Sequence, residues 1–332
     1  MTPALNKVLK MALPKSLQGS LRIPVLGAPM FIVSSPALVK AQCKAGIIGS
    51  FPALNARPEA LLDDWLAEIT EELANHAARH PNEPVAPFAV NQIVHASNTR
   101  LEHDVRLCVK HKVPIVITSL RPPAEVVEAV HSYGGLVFHD VINIRHARKA
   151  AEQGIDGLIA VCAGAGGHAG LLSPFALVKE IREFFDGVVL LSGAMSCGND
   201  VLAAQAIGAD LAYIGTRFIA TEEANADAAY KQMIVESTAN DIIYTSLFTG
   251  VHGSYLRGSI ENAGLNPDDL PDADKTTMNF GSAGNTHKKA WKDIWGAGQG
   301  VGTMHEILPT RELVLRMERE YREALARLNS AQ

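Results

Sequence analysis

Cysteine is scarce in this 332-residue chain, with only Cys43, Cys108, Cys162 and Cys197, and no two of them form a CxxC pair. That spacing offers neither a zinc-ligand pattern nor a disulfide framework, and Cys162 reads as a small buried thiol. Long apolar runs are missing as well: none approaches the roughly 18 to 20 residues that span a bilayer. Lys7, Lys10 and Lys15 interrupt the start, so no signal-peptide core is expected and the expected location is the cytoplasm. Charge of one sign is also absent. Lys and Arg number 30 against 35 Asp and Glu, a net charge of -5, and the basic residues are scattered. Neither nucleic acid nor a membrane is therefore an expected partner. No HExxH, GxSxG or GxxxxGK[ST] string occurs, which removes the usual support for zincin, α/β-hydrolase and P-loop chemistry. Asp268, Asp269, Asp272 and Asp274 lack EF-hand spacing and read as a solvated acidic loop; no metal is expected.

What is present is a globular composition, 47% hydrophobic and 20% charged, able to bury a sizeable core. From residue 25 to about 237, short apolar runs ending in Gly, Pro, Asn, Ser or His alternate with amphipathic stretches. Strands are expected at Val25–Met30, Gly46–Phe51, Ala86–Asn91, Val113–Ser119, Gly135–Asp140, Gly157–Val161, Val188–Ser192 and Leu211–Gly215. Helices are expected at Pro58–His76, Arg100–His111, Pro123–Tyr133, Asn143–Gln153, Pro174–Phe185 and Asn199–Ile207. Ser173 before Pro174 marks a helix start, and Gly154 and Gly208 mark helix ends. Eight strands with intervening helices favour an α/β fold of the (β/α)8 TIM-barrel type, with an open doubly wound sheet as the alternative. The expected division is an N-terminal extension (1–20), the barrel (21–237), a small lobe or lid (238–304) and a C-terminal helix packed on the barrel (305–332). The lobe is expected to lack strand and helix alternation over 239–290, where GLNPDDLPDADK reads as an exposed loop.

In a parallel barrel the chemistry sits at the C-terminal strand ends. Read in order, these are GAPM (27–30), Asn91, TSLRPP (118–123), His139 with Asp140, CAGAGGHAG (162–170), SGAM (192–195) and GTRF (215–218). Most are small residues, which leave room for a flat ligand. Strand ends seven and eight commonly carry a phosphate site, and Gly193, Ala194, Gly215 and Thr216 can present N–H groups and a hydroxyl to an anion; the position favours a phosphate site over tight turns alone. Gly164, Gly166 and Ala169 formally match G-x-G-x-x-A, but the helix signals wait until Ser173 and Pro174, and the string follows the sixth strand, so a Rossmann reading is rejected. What remains is a glycine loop carrying His168 over the mouth, where a proton acceptor titrating near neutrality is useful. Of His139 and Asp140, alternation allows one to face the mouth. His252, His287 and His305 receive no role.

The strand-end set resembles the nitronate monooxygenase family, formerly called 2-nitropropane dioxygenases, which includes flavin-dependent enoyl-ACP reductases and certain NADH:quinone reductases. GAPM, SSPALVKAQCKAGIIGSFPAL (34–54), FAVN (88–91), AGGHAG (165–170), SGAM, IGTRF and WGAGQGVG (295–302) occur in family order and cover essentially the whole chain beyond residue 20. The resemblance implies FMN at the mouth, its ring near Ala28, Met30, Asn91, Gly166 and Gly167, and its phosphate on Ser192, Gly193, Ala194, Gly215 and Thr216. It also implies a flavin-side position for Gln299 and a catalytic role for His168. Three departures stand out: Gly164–Ala165 where many members have an acidic residue before GGH, Asp140 where some have lysine, and Ala194 where many have a second glycine. The activity implied is FMN-dependent oxidation of alkyl nitronates, such as propionate 3-nitronate, with O2. The alternative is NAD(P)H-dependent reduction of a quinone or enoyl-thioester acceptor. A small-molecule substrate and O2 are the expected partners, and homo-oligomer formation is left open.

Overall fold

The computed structural model of the chain describes residues 13–121, 123–271 and 294–330. The strands β1 (Val25–Gly27), β2 (Gly49–Pro52), β3 (Phe88–Val94), β4 (Ile115–Leu120), β5 (Leu136–Val141) and β6 (Gly157–Val161) are followed by a two-residue β7 (Gly167–His168) outside the barrel. The barrel resumes with β8 (Val188–Ser192) and β9 (Leu211–Ile214). Every neighbouring pair around the ring, β2-β3-β4-β5-β6-β8-β9-β1, is parallel. Between β1 and β2 the parallel bridge Leu26–Ile48 closes it, with Gly27 N–H donating to Ile48 O (2.8 Å) and Ile48 N–H to Val25 O (3.1 Å). Closure disposes of the open-sheet alternative.

The barrel is filled rather than hollow. Leu26, Ile48, Ala89, Ile115, Ile117, Phe138, Ile159, Val188, Leu190 and Leu211 form one buried cluster inside it. The opposite strand faces join the surrounding helices in a second, larger cluster. These helices are α1 (Pro36–Lys44), α2 (Leu61–Arg79), α3 (Leu101–Lys110), α4 (Ala124–His131), α5 (Ile144–Ala151), α6 (Pro174–Arg182) and α7 (Gly198–Ala206). In α2 the buried Leu62, Leu66, Ile69 and Leu73 recur at three- and four-residue spacing, with Asp63 and Asp64 in the first turn and Arg79 in the last, where the helix dipole favours them. A short α8 (Thr216–Ile219) follows β9, then α9 (Ala228–Glu236).

Two sequence expectations change. The stretch 239–290 contains β10 (Ile242–Thr245) and β11 (Gly253–Leu256), an antiparallel pair, and α10 (Arg257–Asn262). These strands are four residues long, too short for alternation to declare them, and a distant partner completes their sheet: β11 pairs antiparallel with β7. Residues 272–293, which include Asp272, Asp274 and His287, and residues 1–12 of the expected extension lie outside the described residues. Second, β1 ends at Gly27 rather than Met30, because Pro29 has no N–H to continue the ladder.

The last helix, α11 (Thr310–Ser330), buries Leu313, Val314 and Met317 against the barrel core and crosses α7 at Gly198. A Cβ on Gly198 would lie 2.0 Å from Met317 O, so only glycine permits that approach. Gly198 N–H donates to Glu320 Oε2 (2.8 Å) at the crossing. Among the described residues no helix is long and apolar enough to cross a membrane.

Candidate active site at the barrel mouth

The register around the barrel decides which strand-end side chains face the mouth. Phe138 and Ile117 are partners in register and both lie in the interior cluster. Alternation therefore turns Ser119 and Asp140 inward and Thr118 and His139 outward. His139 is buried behind the strand, its Nδ1 2.8 Å from Thr118 Oγ1, and burial lowers its pKa to about 4. It takes no part at the mouth. Asp140 does: Asn91 Nδ2 donates to Ser119 Oγ (3.0 Å) and to Ile117 O (3.3 Å), and Ser119 Oγ donates to Asp140 Oδ2. Burial pushes the Asp140 carboxyl up to about 6, although the Ser119 hydroxyl and the Leu120 N–H pull the other way. Tyr213, on the inward face of β9, completes this polar layer, and burial raises its hydroxyl too.

Half-way round the ring from β4 lies the other wall, at the ends of β8 and β9. Here three segments far apart in sequence converge. Ala194 N–H and Gln299 N–H both donate to Gly164 O, at 3.2 and 2.9 Å. Gly298 N–H donates to Thr216 Oγ1 (2.9 Å), which leaves the Thr216 proton available to an anionic ligand. Gly166 is wedged between them: a Cβ there would meet Gly298 N at 2.8 Å and Thr216 Oγ1 at 3.0 Å. The chain turns through Gly193 at φ +149° and Ala194 at φ +54°, the latter a left-handed conformation that glycine would adopt without strain. Gly215 differs. A Cβ there would make ordinary van der Waals contact with Ala28 Cβ at 3.4 Å and Met30 Sδ at 3.6 Å, which sets Gly215 beside the residues that the sequence puts near the ring. The strand ends thus set the Thr216 hydroxyl and small residues on one side of the mouth and an Asn–Ser–Asp layer on the other, an arrangement that suits a flat group carrying one phosphate.

His168 reaches the mouth through β7. Its antiparallel pairing with Gly253, and that of Gly167 with Ser254, fixes the backbone that the sequence reading took for a plain loop. Tyr244 Oη donates to Ala169 O (2.9 Å) and pins the next residue. The imidazole is half-buried, with Nε2 2.8 Å from Thr249 Oγ1. Burial lowers its pKa to about 4, so the expectation of titration near neutrality is corrected: His168 is a neutral imidazole at pH 7. It can accept a proton there, with less driving force than an unperturbed histidine.

Gln299 arrives beside Gly164 because residues 295–297 run along β11, with Leu256 N–H donating to Trp295 O (2.8 Å) and Ala297 N–H to Ser254 O (3.2 Å). Cys162 is buried and its thiol is pushed up to about 12, an inert packing group. Asp268 is exposed and paired with Arg257 (2.8 Å). His252 stacks on Tyr244 at 5.1 Å between ring centroids. Sequence reasoning missed Ser119, Tyr213 and Thr249. The parity of TSLRPP and LAYIG with their interior neighbours contains the first two; the third sits 81 residues from its partner, with no local signal.

The family model described as nitronate monooxygenase matches residues 16–320. A nitronate monooxygenase of Paraburkholderia phytofirmans is 25% identical over 352 residues, covering 92% of this chain and 94% of the relative. Among solved structures, FabK of Thermotoga maritima superposes with a TM-score of 0.73 at 23% identity, covering 94% and 96% of the two chains. A nitroalkane oxidase of Streptomyces ansochromogenes gives 0.74 at 22%, covering 95% and 100%. At these identities the two structures bear on the fold, a closed TIM barrel in each case.

Proposed function

Since this chain belongs to the nitronate monooxygenase family, we propose that it is a flavin-dependent oxidoreductase that oxidises alkyl nitronates with O2 at the barrel mouth. The observation that carries the reading is the convergence of two independent features on one opening: His168, held by β7, and the wall where Gly164, Gly166, Ala194, Thr216 and Gln299 meet. The chemistry a flavin would supply when bound there is acceptance of the substrate's electrons and their transfer to O2, which no side chain of the protein can provide.

In this reading the flavin is FMN, because the strand ends supply one phosphate cradle and, among the described residues, no second one suited to an adenylate is apparent at the mouth. Ser192, Gly193, Gly215 and Thr216 would hold the phosphate through backbone N–H groups and the Thr216 hydroxyl, with Ala194, whose own N–H goes to Gly164 O, shaping the turn beside it. Ala28, Met30, Asn91, Gly166 and Gly167 border the ring, and Gln299 lies at its side. Asn91 keeps its orientation by donating to Ser119 and Ile117. Asp140, close to half-protonated near pH 6, disfavours negative charge on a neighbouring group less than a fixed carboxylate would.

His168 binds and orients the nitro group, and it removes the α-proton when the substrate arrives as a neutral nitroalkane. The proton passes to the imidazole, and the C–H electron pair stays with the substrate as nitronate charge on the nitro oxygens. The small sheet in which β10 and β11 join β7 holds the backbone of His168, and in this reading it screens the exchange from water. The test is oxygen consumption by purified protein supplied with propionate 3-nitronate and, separately, with NADH, together with identification of the flavin released on denaturation. Nitronate-dependent uptake with released FMN is expected. Bleaching by NADH under anaerobic conditions, with none by nitronate, would overturn the assignment in favour of a reductase.

A further inference from the structure

The loop from β1 to α1 carries Met30, whose side chain lies against Gly215 at the mouth, and it bends in a way that its own residues resist. Ile32 stands at φ +68°. A β-branched residue is strained in that left-handed region, and Ile32 is also exposed, so neither backbone preference nor side-chain burial keeps it there. An amide from another loop does. Asn55, which ends the short 3-10 turn after β2, accepts from Ile32 N–H at Oδ1 (3.0 Å) and donates through Nδ2 to Met30 O (3.0 Å) and Ser34 O (2.8 Å). The bend also closes on itself: Met30 N–H donates to Ser34 Oγ (2.9 Å) and Ser34 N–H to Met30 O (3.0 Å). From between α8 and α9, Asn225 grips the same residues, Nδ2 donating to Ile32 O (3.0 Å) and its N–H to Val33 O (2.9 Å). A carboxamide suits the position of Asn55 because it offers two donors and an acceptor in one plane; an aspartate would set a carboxylate against two carbonyls.

We propose that Asn55 is a positioning residue for the cofactor: it holds the Met30–Ser34 loop in its strained bend, and so sets Met30 at the ring position before the ring arrives. The cofactor part rests on the reading of Met30 as a ring-side residue, whereas the clasp stands on the hydrogen bonds alone. Strain kept up by partners from two other loops, at the edge of a ligand opening, is pre-organisation. Without the clasp the free protein relaxes, and flavin binding must restore the bend at the expense of affinity.

Titration of flavin-stripped protein with FMN reads the role. Asn55→Ala should bind FMN about ten- to a hundred-fold more weakly, the equivalent of one or two hydrogen bonds. Ile32→Gly takes up the bend without strain, so it should bind within about three-fold of the parent, and in the double variant it should recover at least about three-fold of the affinity lost in Asn55→Ala. Asn225→Ala should show a milder loss that Ile32→Gly also recovers, and it answers the question if Asn55→Ala does not fold. A purely structural residue would lower the melting temperature and leave FMN affinity alone; that result, or a loss that Ile32→Gly does not recover, overturns the positioning role. Hydrogen exchange of the flavin-free protein reads the clasp separately, since the Ile32 amide should be protected in the parent and exchange faster in Asn55→Ala. An unprotected Ile32 amide in the parent overturns the clasp. A protected amide in a parent that binds no FMN overturns the flavin reading, and the positioning role with it, while the clasp stands.

Discussion

Gly215 offers the cleanest test of where the phosphate sits, because its backbone and its protein neighbours accept a side chain while a phosphate bound beside it would not. Its φ of -105° and ψ of -70° suit L-residues, and a Cβ would lie 3.4 Å from Ala28 Cβ and 3.6 Å from Met30 Sδ, ordinary van der Waals contact. Gly215→Asn and Gly215→Asp should therefore fold with stability changes within about 0.5 kcal/mol. Both place a side chain in the cradle and weaken flavin binding through bulk, and they differ only in charge. At ~4 Å and an effective dielectric near 20, two like unit charges repel by about 4 kcal/mol, so Asp should bind FMN up to about a thousand-fold more weakly than Asn. The carboxyl can relieve this by taking up a proton, so the gap should be widest near neutral pH and narrow as the pH falls. Titration of stripped protein with FMN, followed by flavin fluorescence, measures the gap, with apo-protein melting temperatures run alongside. If Asp and Asn bind within about three-fold of each other at equal stability, the phosphate is not beside Gly215.

His168→Asn keeps polarity and some hydrogen bonding but cannot take up the proton; FMN should stay bound while turnover of a neutral nitroalkane falls roughly 10²- to 10⁴-fold and that of preformed nitronate much less. Equal losses on the two substrates in steady-state assays would assign His168 to binding instead. Burial lowers His139 from 6.5 to about 4, so between those values the unfolded chain takes up a proton that the native one refuses; stability is intact above about pH 6.5 and declines as the pH falls to 4, by up to about 3 kcal/mol. Asp140, raised from 3.8 to about 6, acts in the opposite sense over 3.8 to 6 and offsets part of this. Denaturant melts across pH 4 to 7 should show a shallower acid decline in His139→Gln than in the parent, and identical slopes would mean His139 is not the group responsible. Ala194→Gly removes the cost of a left-handed alanine at φ +54°, and should raise stability by up to roughly 1 kcal/mol, readable as a higher denaturant midpoint. An unchanged or lowered midpoint would show that the turn is not strained.

The order of elements was legible from local chemistry alone. Apolar runs of barrel length, Pro174 opening a helix and Gly154 and Gly208 closing others depend on neighbours in the chain, and the eight barrel strands stand within a few residues of their expected places. The small residues at the strand ends announced a mouth because a flat ligand needs their space, and their combination identified the family. Tertiary structure alone decided what depends on distant partners. It turned Asp140 in and His139 out, because the register with Ile117 is a property of two strands. It made a strand of Gly167–His168, because β11 lies more than 80 residues further along the chain. It brought Gln299 to Gly164, and it set the Thr249 hydroxyl 2.8 Å from the His168 imidazole across 81 residues of chain. Hydrophobic periodicity records which face of an element is buried, and so it carries the barrel; it holds no record of which polar atoms meet across the mouth, since those contacts form only when the ring closes.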